Sequence, residues 1–197
     1  MGKTLNVSLV GVGGQGIILT ADILAKAAAL SGADVKKSEI HGMAQRGGSV
    51  ISQVRFGDNV ASPIIQEATS DVLVSFDKLE AVRWAHLLSP EGTALVNDMY
   101  LVPVTVSSGQ QKGVEDLDGK VKGAFGKLVL VDAMKIATEE AGNARTMNMV
   151  LAGALSKLVP FEEKYWLQAM EEMLSGPKAK LLEVNRKAFS LGRAAVK

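Results

Sequence analysis

The stretch LNVSLVGVGGQG, residues 5–16, decides the fold of this 197-residue chain. Residues 5–10 have the composition of a short β-strand, and a run of glycines ends it. Apolar side chains at helical spacing follow from residue 17 to residue 30, and Gly32 is suited to close that helix. A strand, a glycine loop and a helix in this order predict the first unit of an α/β fold.

The chain continues this alternation as far as about residue 145. Further strands are predicted around residues 34–38, 50–56, 71–75, 93–97 and 128–131, with helices over 77–88 and 132–141. Residues 89–92 have the composition of a turn, and the glycine-rich stretch 107–127 is predicted to be a surface excursion or a hairpin. This order of elements predicts an α/β, Rossmann-like fold with a mainly parallel sheet and helices on both faces.

Strand patterns stop after about residue 145. Three helices are predicted beyond it, over residues 147–158, 162–174 and 178–196. We therefore expect a single domain over residues 1–197, with a sheet part over about 1–145 and a helical C-terminal region over about 146–197.

The composition excludes several classes of function. The chain has 22 basic and 21 acidic side chains, so no net charge favours binding to nucleic acid or to a membrane surface. No segment has the apolar length of a signal peptide or a membrane span, and we expect a cytoplasmic protein. Without cysteine, the chain has no thiolates for a zinc site or an iron–sulfur cluster, and its two histidines are too few for a multi-histidine metal site.

The glycine loop has the G-x-G-x-x-G spacing of loops that bind phosphate groups. Its residues are Gly11, Gly13, Gly14, Gln15 and Gly16. Backbone amides at such a helix start attract an anion, and a dinucleotide site would add an acid after the second strand, for which Glu39 or Asp34 is available. The alternative is that the glycines only permit a tight turn and close packing.

A second glycine segment, EIHGMAQRGGSV, occupies residues 39–50. In a doubly wound sheet it lies beside the first loop, where Arg46, Gly47 and Gly48 can hold a phosphate or a carboxylate. The alternative is a loop packed against another subunit, with Arg46 in a structural salt bridge. The residues that would face such a partner are His41, Gly42, Met43 and Gln45.

Together the two glycine segments resemble the gamma-type domain of the 2-oxoacid:ferredoxin oxidoreductases. The HGMAQ form of the second segment, with residues 55–57 and 62–64 after it, is most similar to the indolepyruvate branch of that family. Later matches are Asn97 after a strand and the segments 148–155 and 185–192. The resemblance thus spans nearly the whole chain.

Enzymes of this family oxidatively decarboxylate a 2-oxoacid onto coenzyme A and pass two electrons to ferredoxin. The resemblance implies an accessory subunit of an indolepyruvate (arylpyruvate) ferredoxin oxidoreductase, whose large alpha subunit holds thiamine diphosphate, magnesium and iron–sulfur clusters. It implies no catalytic residue, metal or tightly bound cofactor on this chain, and coenzyme A phosphates would suit the glycine-loop amides and Arg46. Two alternatives stay open: a gamma subunit for pyruvate or 2-oxoglutarate, and a stand-alone protein that binds NAD(P) or another nucleotide.

Overall fold

A computed structural model describes residues 4–41, 47–175 and 181–196. Its frame is a six-stranded sheet in the order β2-β3-β1-β4-β5-β6. The strands are β1 (Leu5–Val12), β2 (Asp34–His41), β3 (Ser49–Gly57), β4 (Ser70–Ser75), β5 (Leu88–Asn97) and β6 (Leu128–Val131). A strand forms at each of the six places that the sequence pattern indicates.

The helices alternate with the strands as far as β6, and after β6 the chain is helical. They are α1 (Ile17–Leu30), α2 (Lys78–Arg83), α3 (Val104–Ser107), α4 (Leu117–Ala124), α5 (Ala133–Lys135), α6 (Met147–Leu155), α7 (Glu163–Met173) and α8 (Leu182–Ala194). The last three confirm the predicted helical C-terminal region. Within the described ranges, no helix has the length and apolar character needed to cross a membrane.

The sheet is mixed, with parallel pairs in the majority. β1 pairs in parallel with β4, β4 with β5 and β5 with β6, whereas β3 runs antiparallel to both β1 and β2. Only residues 42–48 connect β2 to β3, and a parallel pair would need a crossover of about a dozen residues or more. The predicted mainly parallel α/β fold is therefore confirmed, with an antiparallel β2–β3 pair at one end of the sheet.

Alternating side chains of the strands build a core on each face of the sheet. Leu9 and Val74 belong to the larger cluster, which α1, α6, α7 and α8 cover. Their neighbours Val10 and Leu73 belong to a smaller cluster that α2 and α4 cover. Because successive residues of a strand point to opposite faces, the two clusters lie on opposite sides of the sheet, and helices cover both faces as predicted.

Helices α6 and α8 pack with their backbones in contact. A Cβ atom on Gly153 would lie 2.0 Å from the carbonyl oxygen of Phe189. A Cβ atom on Gly192 would lie 1.9 Å from the carbonyl oxygen of Val150. Glycine is therefore required at both positions, which gives a physical reason for two of the segments that carry the family resemblance.

Some local expectations are wrong. Residues 89–92 lie inside β5 instead of forming a separate turn, and the register with β4 shifts between Ser70 and Val72 to accommodate them. The helix expected over 77–88 ends at Arg83 and is followed by a 3₁₀ turn, because the chain must return to the sheet at Leu88. Likewise α5 is a single turn that continues as a π-helical turn over residues 136–140.

The stretch 107–127 carries helix α4, so the hairpin alternative is wrong and the surface excursion is what forms. Buried Val121 attaches α4 to the smaller core. Lys78 Nζ lies 2.8 Å from Asp118 Oδ1 on α4 and 2.9 Å from Asp98 Oδ1 after β5. The hydrogen bond from Lys78, and then its charge, lower the pKa of Asp118, while the bonds to Asp118 and Asp98 raise the pKa of Lys78.

This ion pair should make the stability of the protein depend on acid pH. Because folding lowers the pKa of Asp118 from 3.8, the pair stabilises the folded chain above that pH and the contribution is lost as the pH falls below it. The free energy of unfolding, measured by urea denaturation, should fall as the pH is lowered from about 6 to about 3. We expect this fall to be smaller for Lys78→Met than for the unaltered chain, because the variant has no ion pair to lose. Lys112→Met, at an exposed position, should keep the original pH dependence. Parallel curves for Lys78→Met and the unaltered chain would contradict this expectation.

Candidate functional site

The glycine loop turns the chain from the end of β1 into α1, at the edge where the parallel strands end. Gly14 and Gly16 have φ angles of +102° and +86°, a left-handed backbone that glycine adopts without steric cost. A Cβ atom on Gly11 would lie 2.8 Å from the Cβ atom of Phe76. Three of the loop's glycines are therefore required by the turn or by close packing.

Gln15 braces this loop from within. Its side-chain oxygen accepts a hydrogen bond from Val12 N at 2.7 Å, and its side-chain nitrogen donates to Phe76 O at 3.2 Å. Both polar groups of the side chain are thus engaged with the backbone of this chain. These two hydrogen bonds stabilise the conformation of the loop. The predicted contact of Gln15 with a ligand stays a prediction.

The described end of the second glycine segment, Gly47 and Gly48, lies directly beside the first loop, as the sequence predicts. Gly13 N donates a hydrogen bond to Gly48 O at 2.8 Å, and Gly47 N donates to Gly13 O at 3.5 Å. The other predicted residues of this segment lie outside the described residues: the side chain of His41 and all of Gly42, Met43, Gln45 and Arg46. The described part therefore joins Gly47 and Gly48 to the glycine loop, and the roles of the others remain predictions.

The buried carboxylate of Glu80 forms a hydrogen bond with Ser49, the residue at which the second glycine segment enters β3. Glu80 on α2 is 3% exposed; it accepts hydrogen bonds from the Ser49 hydroxyl and from Trp84 Nε1, and it pairs with Arg83. Ser49 follows Gly48 directly, so α2 fixes the end of the second segment. Sequence reasoning missed Glu80, because a glutamate in a helix pattern gives no sign that it will be buried.

A cavity of about 350 Å³ opens beside the glycine loop, and two helices begin at it. Gly16 is the N-cap of α1 and Thr146 is the N-cap of α6. In the described chain neither helix has a capping side chain or an acidic residue in its first turn. The dipoles of both helices therefore favour negative charge in the cavity, although Met147 N at the start of α6 already donates a hydrogen bond to Ala144 O.

Five polar residues of this cavity were not predicted as site residues from the sequence: Asn143, Arg145, Thr146, Asn148 and Asn185. They come from the helical region, far along the chain from the glycine loop that they face. Asn148 stands out in the sequence only because it opens one of the segments that carry the family resemblance. No local pattern indicates that it meets Gly16, where a Cβ atom would lie 2.8 Å from Asn148 Nδ2.

The two acids considered for a dinucleotide ribose serve the fold instead. β3 separates β2 from β1, so the end of β2 is two strand spacings, roughly 10 Å, from the glycine-loop strand. Glu39 shares Lys37 with Asp22, and Asp34 Oδ1 lies 2.6 Å from Lys36 Nζ. The hydrogen bond from Lys36 is the main reason why the pKa of Asp34 is lowered. The structure favours neither acid as a ribose ligand.

Comparisons with known proteins agree with this architecture. The model of the pyruvate ferredoxin/flavodoxin oxidoreductase family matches residues 6–195. The chain is 40% identical to indolepyruvate oxidoreductase subunit IorB of Pyrococcus horikoshii, over 99% of this chain and 97% of that relative. It is 34% identical to the common gamma subunit of the pyruvate/ketoisovalerate oxidoreductases of Thermococcus kodakarensis, over 90% of this chain and 89% of that subunit.

A solved structure gives the same fold. Pyruvate oxidoreductase subunit PORC of Thermotoga maritima superposes with a TM-score of 0.71 at 25% identity, over 99% of this chain and 98% of that one. The family resemblance seen in the two glycine segments is thereby confirmed over the whole fold. The chain belongs to the pyruvate ferredoxin/flavodoxin oxidoreductase family.

Proposed function

We propose that this chain is the accessory subunit of an indolepyruvate (arylpyruvate) ferredoxin oxidoreductase. It supports a coenzyme A-dependent oxidative decarboxylation that takes place on a large alpha subunit. The observation that carries this proposal is the 40% identity, over 99% of the chain, to a subunit named for indolepyruvate. We place the complex in the cytoplasm, with ferredoxin as its electron acceptor.

In this proposal the large subunit holds the redox cofactors. Thiamine diphosphate with its magnesium ion supplies the carbanion chemistry, and iron–sulfur clusters carry the electrons. The full sequence has no cysteine to ligate a cluster. Among the residues that the structure describes, no group of three or more histidine, aspartate or glutamate side chains is placed to hold a metal ion. Both observations support a division of labour between the two subunits.

The contribution of this chain is to close the active-site region and to help present coenzyme A. The hydrogen bond from Gly13 to Gly48 joins the two glycine segments into one surface at the start of α1. Backbone amides at a helix start suit the phosphates of coenzyme A, and Arg46 supplies a positive charge. The residues that face the large subunit in this proposal are His41, Gly42, Met43 and Gln45.

A second candidate is a gamma subunit for another 2-oxoacid. The 34% identity to the pyruvate/ketoisovalerate gamma subunit favours it, although that identity is lower and covers less of the chain. A stand-alone NAD(P)-binding protein has only the glycine loop in its favour. The position of β3 between β1 and β2 weakens that alternative, because it moves the candidate ribose acids away from the loop.

The role in coenzyme A use is tested by Arg46→Ala in the assembled enzyme. Loss of a charge-assisted contact to a phosphate should raise the KM for coenzyme A about tenfold and leave kcat within about twofold. Arg46→Lys should recover part of the loss because it restores the charge. Lys112→Ala, at an exposed position outside the glycine segments, should leave both constants unchanged. An unchanged KM for Arg46→Ala would overturn this role.

A further inference from the structure

We propose that the outer edge of β2 pairs with β2 of a second copy of this chain, so that the two sheets join into one across a twofold axis. Strand β2 (Asp34–His41) is the outermost strand of the sheet, next to β3. In the part of the chain that the structure describes, no strand pairs with its other side. The proposal concerns contacts between copies of this chain, and it goes beyond the proposed function.

The edge of β2 is long and regular. Its eight residues pair with β3 in an unbroken register, from Asp34 opposite Gly57 to His41 opposite Val50, and they include no proline. The strand at the opposite end of the sheet, β6, has only four residues. Proteins commonly prevent pairing at a sheet edge with short strands, bulges or prolines. Since β2 has none of these features, its edge is suited to accept another strand.

The two lysines of β2 do not repel a second strand, because acids of the same chain neutralise them. Lys36 Nζ lies 2.6 Å from Asp34 Oδ1. Lys37 pairs with Asp22 on α1 and with Glu39 on β2 itself. Lysine protects an edge strand when its charge is unpaired and meets only backbone. Here β2 has as many acidic side chains as lysines, so its charges can complement those of a second copy.

The two faces of β2 limit the possible symmetric registers. Val35 packs against the larger core, which places it on the face that α1 covers. Ile40 lies opposite Ile51 of the smaller core, which places it on the other face. In a twofold dimer, residues directly opposite each other point to the same face. Because side chains alternate between the faces, the axis must pass beside a residue that lies opposite its own copy.

The charges of the strand select Ser38 as that residue. An axis at Lys37 would place two lysines opposite each other, and an axis at Glu39 would place two glutamates opposite each other. With the axis at Ser38, Lys37 of each copy lies directly opposite Glu39 of the other. Opposite charges at such positions stabilise an antiparallel pair, and like charges destabilise it. In the same register Lys36 lies opposite Ile40, which is 60% exposed in the single chain and which the hydrocarbon stem of the lysine would cover.

Sedimentation velocity of the full-length chain tests the dimer. At about 100 µM we expect a mass of twice the 20.8 kDa of the single chain. Lys37→Glu and Glu39→Lys each place like charges opposite each other at two positions, so each should weaken the dimer at least about tenfold. Lys112→Glu makes the same charge change at an exposed position between β5 and β6, and it should leave the dimer unchanged.

Mixing the two variants separates pairing of the strands from an effect on folding. A Lys37→Glu copy and a Glu39→Lys copy have opposite charges at both contacts, so the equimolar mixture should form a tighter dimer than either variant alone. A monomeric unaltered chain, or variants that dimerise as tightly as the unaltered chain, would overturn the proposal. A mixture that associates no more tightly than the separate variants would overturn it too. These masses are measured without the large subunit, so their failure would leave the proposed function standing.

Discussion

Gly153→Ala is expected to lower the free energy of unfolding by at least about 3 kcal/mol, which is at the upper end of the usual cost of overpacking. The added methyl carbon would lie 2.0 Å from the carbonyl oxygen of Phe189. That obstacle is backbone, so no side-chain rotation relieves it, and α6 and α8 must separate. Their separation opens the larger core, to which both helices contribute fully buried side chains such as Leu151 and Phe189.

The measurement is urea or thermal denaturation of the purified chain, with Gly123→Ala as the matched control. Gly123 lies in α4, and a Cβ atom there meets no other atom within 4 Å. Alanine should therefore leave the stability unchanged or raise it by about 0.5–1 kcal/mol, because glycine is a poor helix former. Equal effects of the two substitutions would contradict the close packing of α6 on α8.

The start of the fold could be predicted from the sequence because its signals are local. The strand ending at Val12, the glycines that follow and the helical spacing after Ile17 each act within a few residues. The same reasoning predicted the strands that follow, since buried β-branched runs differ clearly from helical spacing. The three C-terminal helices were predicted for the same reason.

Strand direction and the content of the long excursion were harder to predict. Periodicity reports that 50–56 is a strand but not which way it pairs, and only the short connection over 42–48 requires β3 to be antiparallel. Helix α4 contains Gly119 and Gly123, which weaken its helical pattern. Burial of Val121 and the ion pair of Asp118 with Lys78 stabilise it, and these contacts are not local in sequence.

In the candidate site too, residues placed by local sequence signals could be predicted, and residues placed by contacts distant in sequence could not. Gly47 and Gly48 were predicted beside the glycine loop because strand ends at one edge of a sheet converge. Asn148 and Arg145 reach that loop only through the packing of α6 against α1, so no spacing in the sequence could place them there. Glu80 on α2 was missed for a similar reason, because its hydrogen-bond partner Ser49 lies on β3, far away in the sequence.

The largest functional effect is expected when this chain is combined with its large alpha subunit. The chain lacks cysteine for an iron–sulfur cluster, and we propose that it closes an active site whose cofactors lie on the large subunit. Neither subunit alone should then turn over the 2-oxoacid efficiently. The mixture should be at least about tenfold more active than the large subunit alone, which corresponds to about 1.4 kcal/mol in the barrier.

The most direct measurement is the oxidation of indolepyruvate with coenzyme A and an artificial electron acceptor, by this chain, by the large subunit and by the two together. We predict activity that rises with added chain to a plateau at a fixed ratio, with indolepyruvate used better than pyruvate or 2-oxoglutarate. A preference for pyruvate in the mixture would favour the second candidate. Reduction of NAD(P) by this chain alone, with no gain of activity in the mixture, would contradict the account.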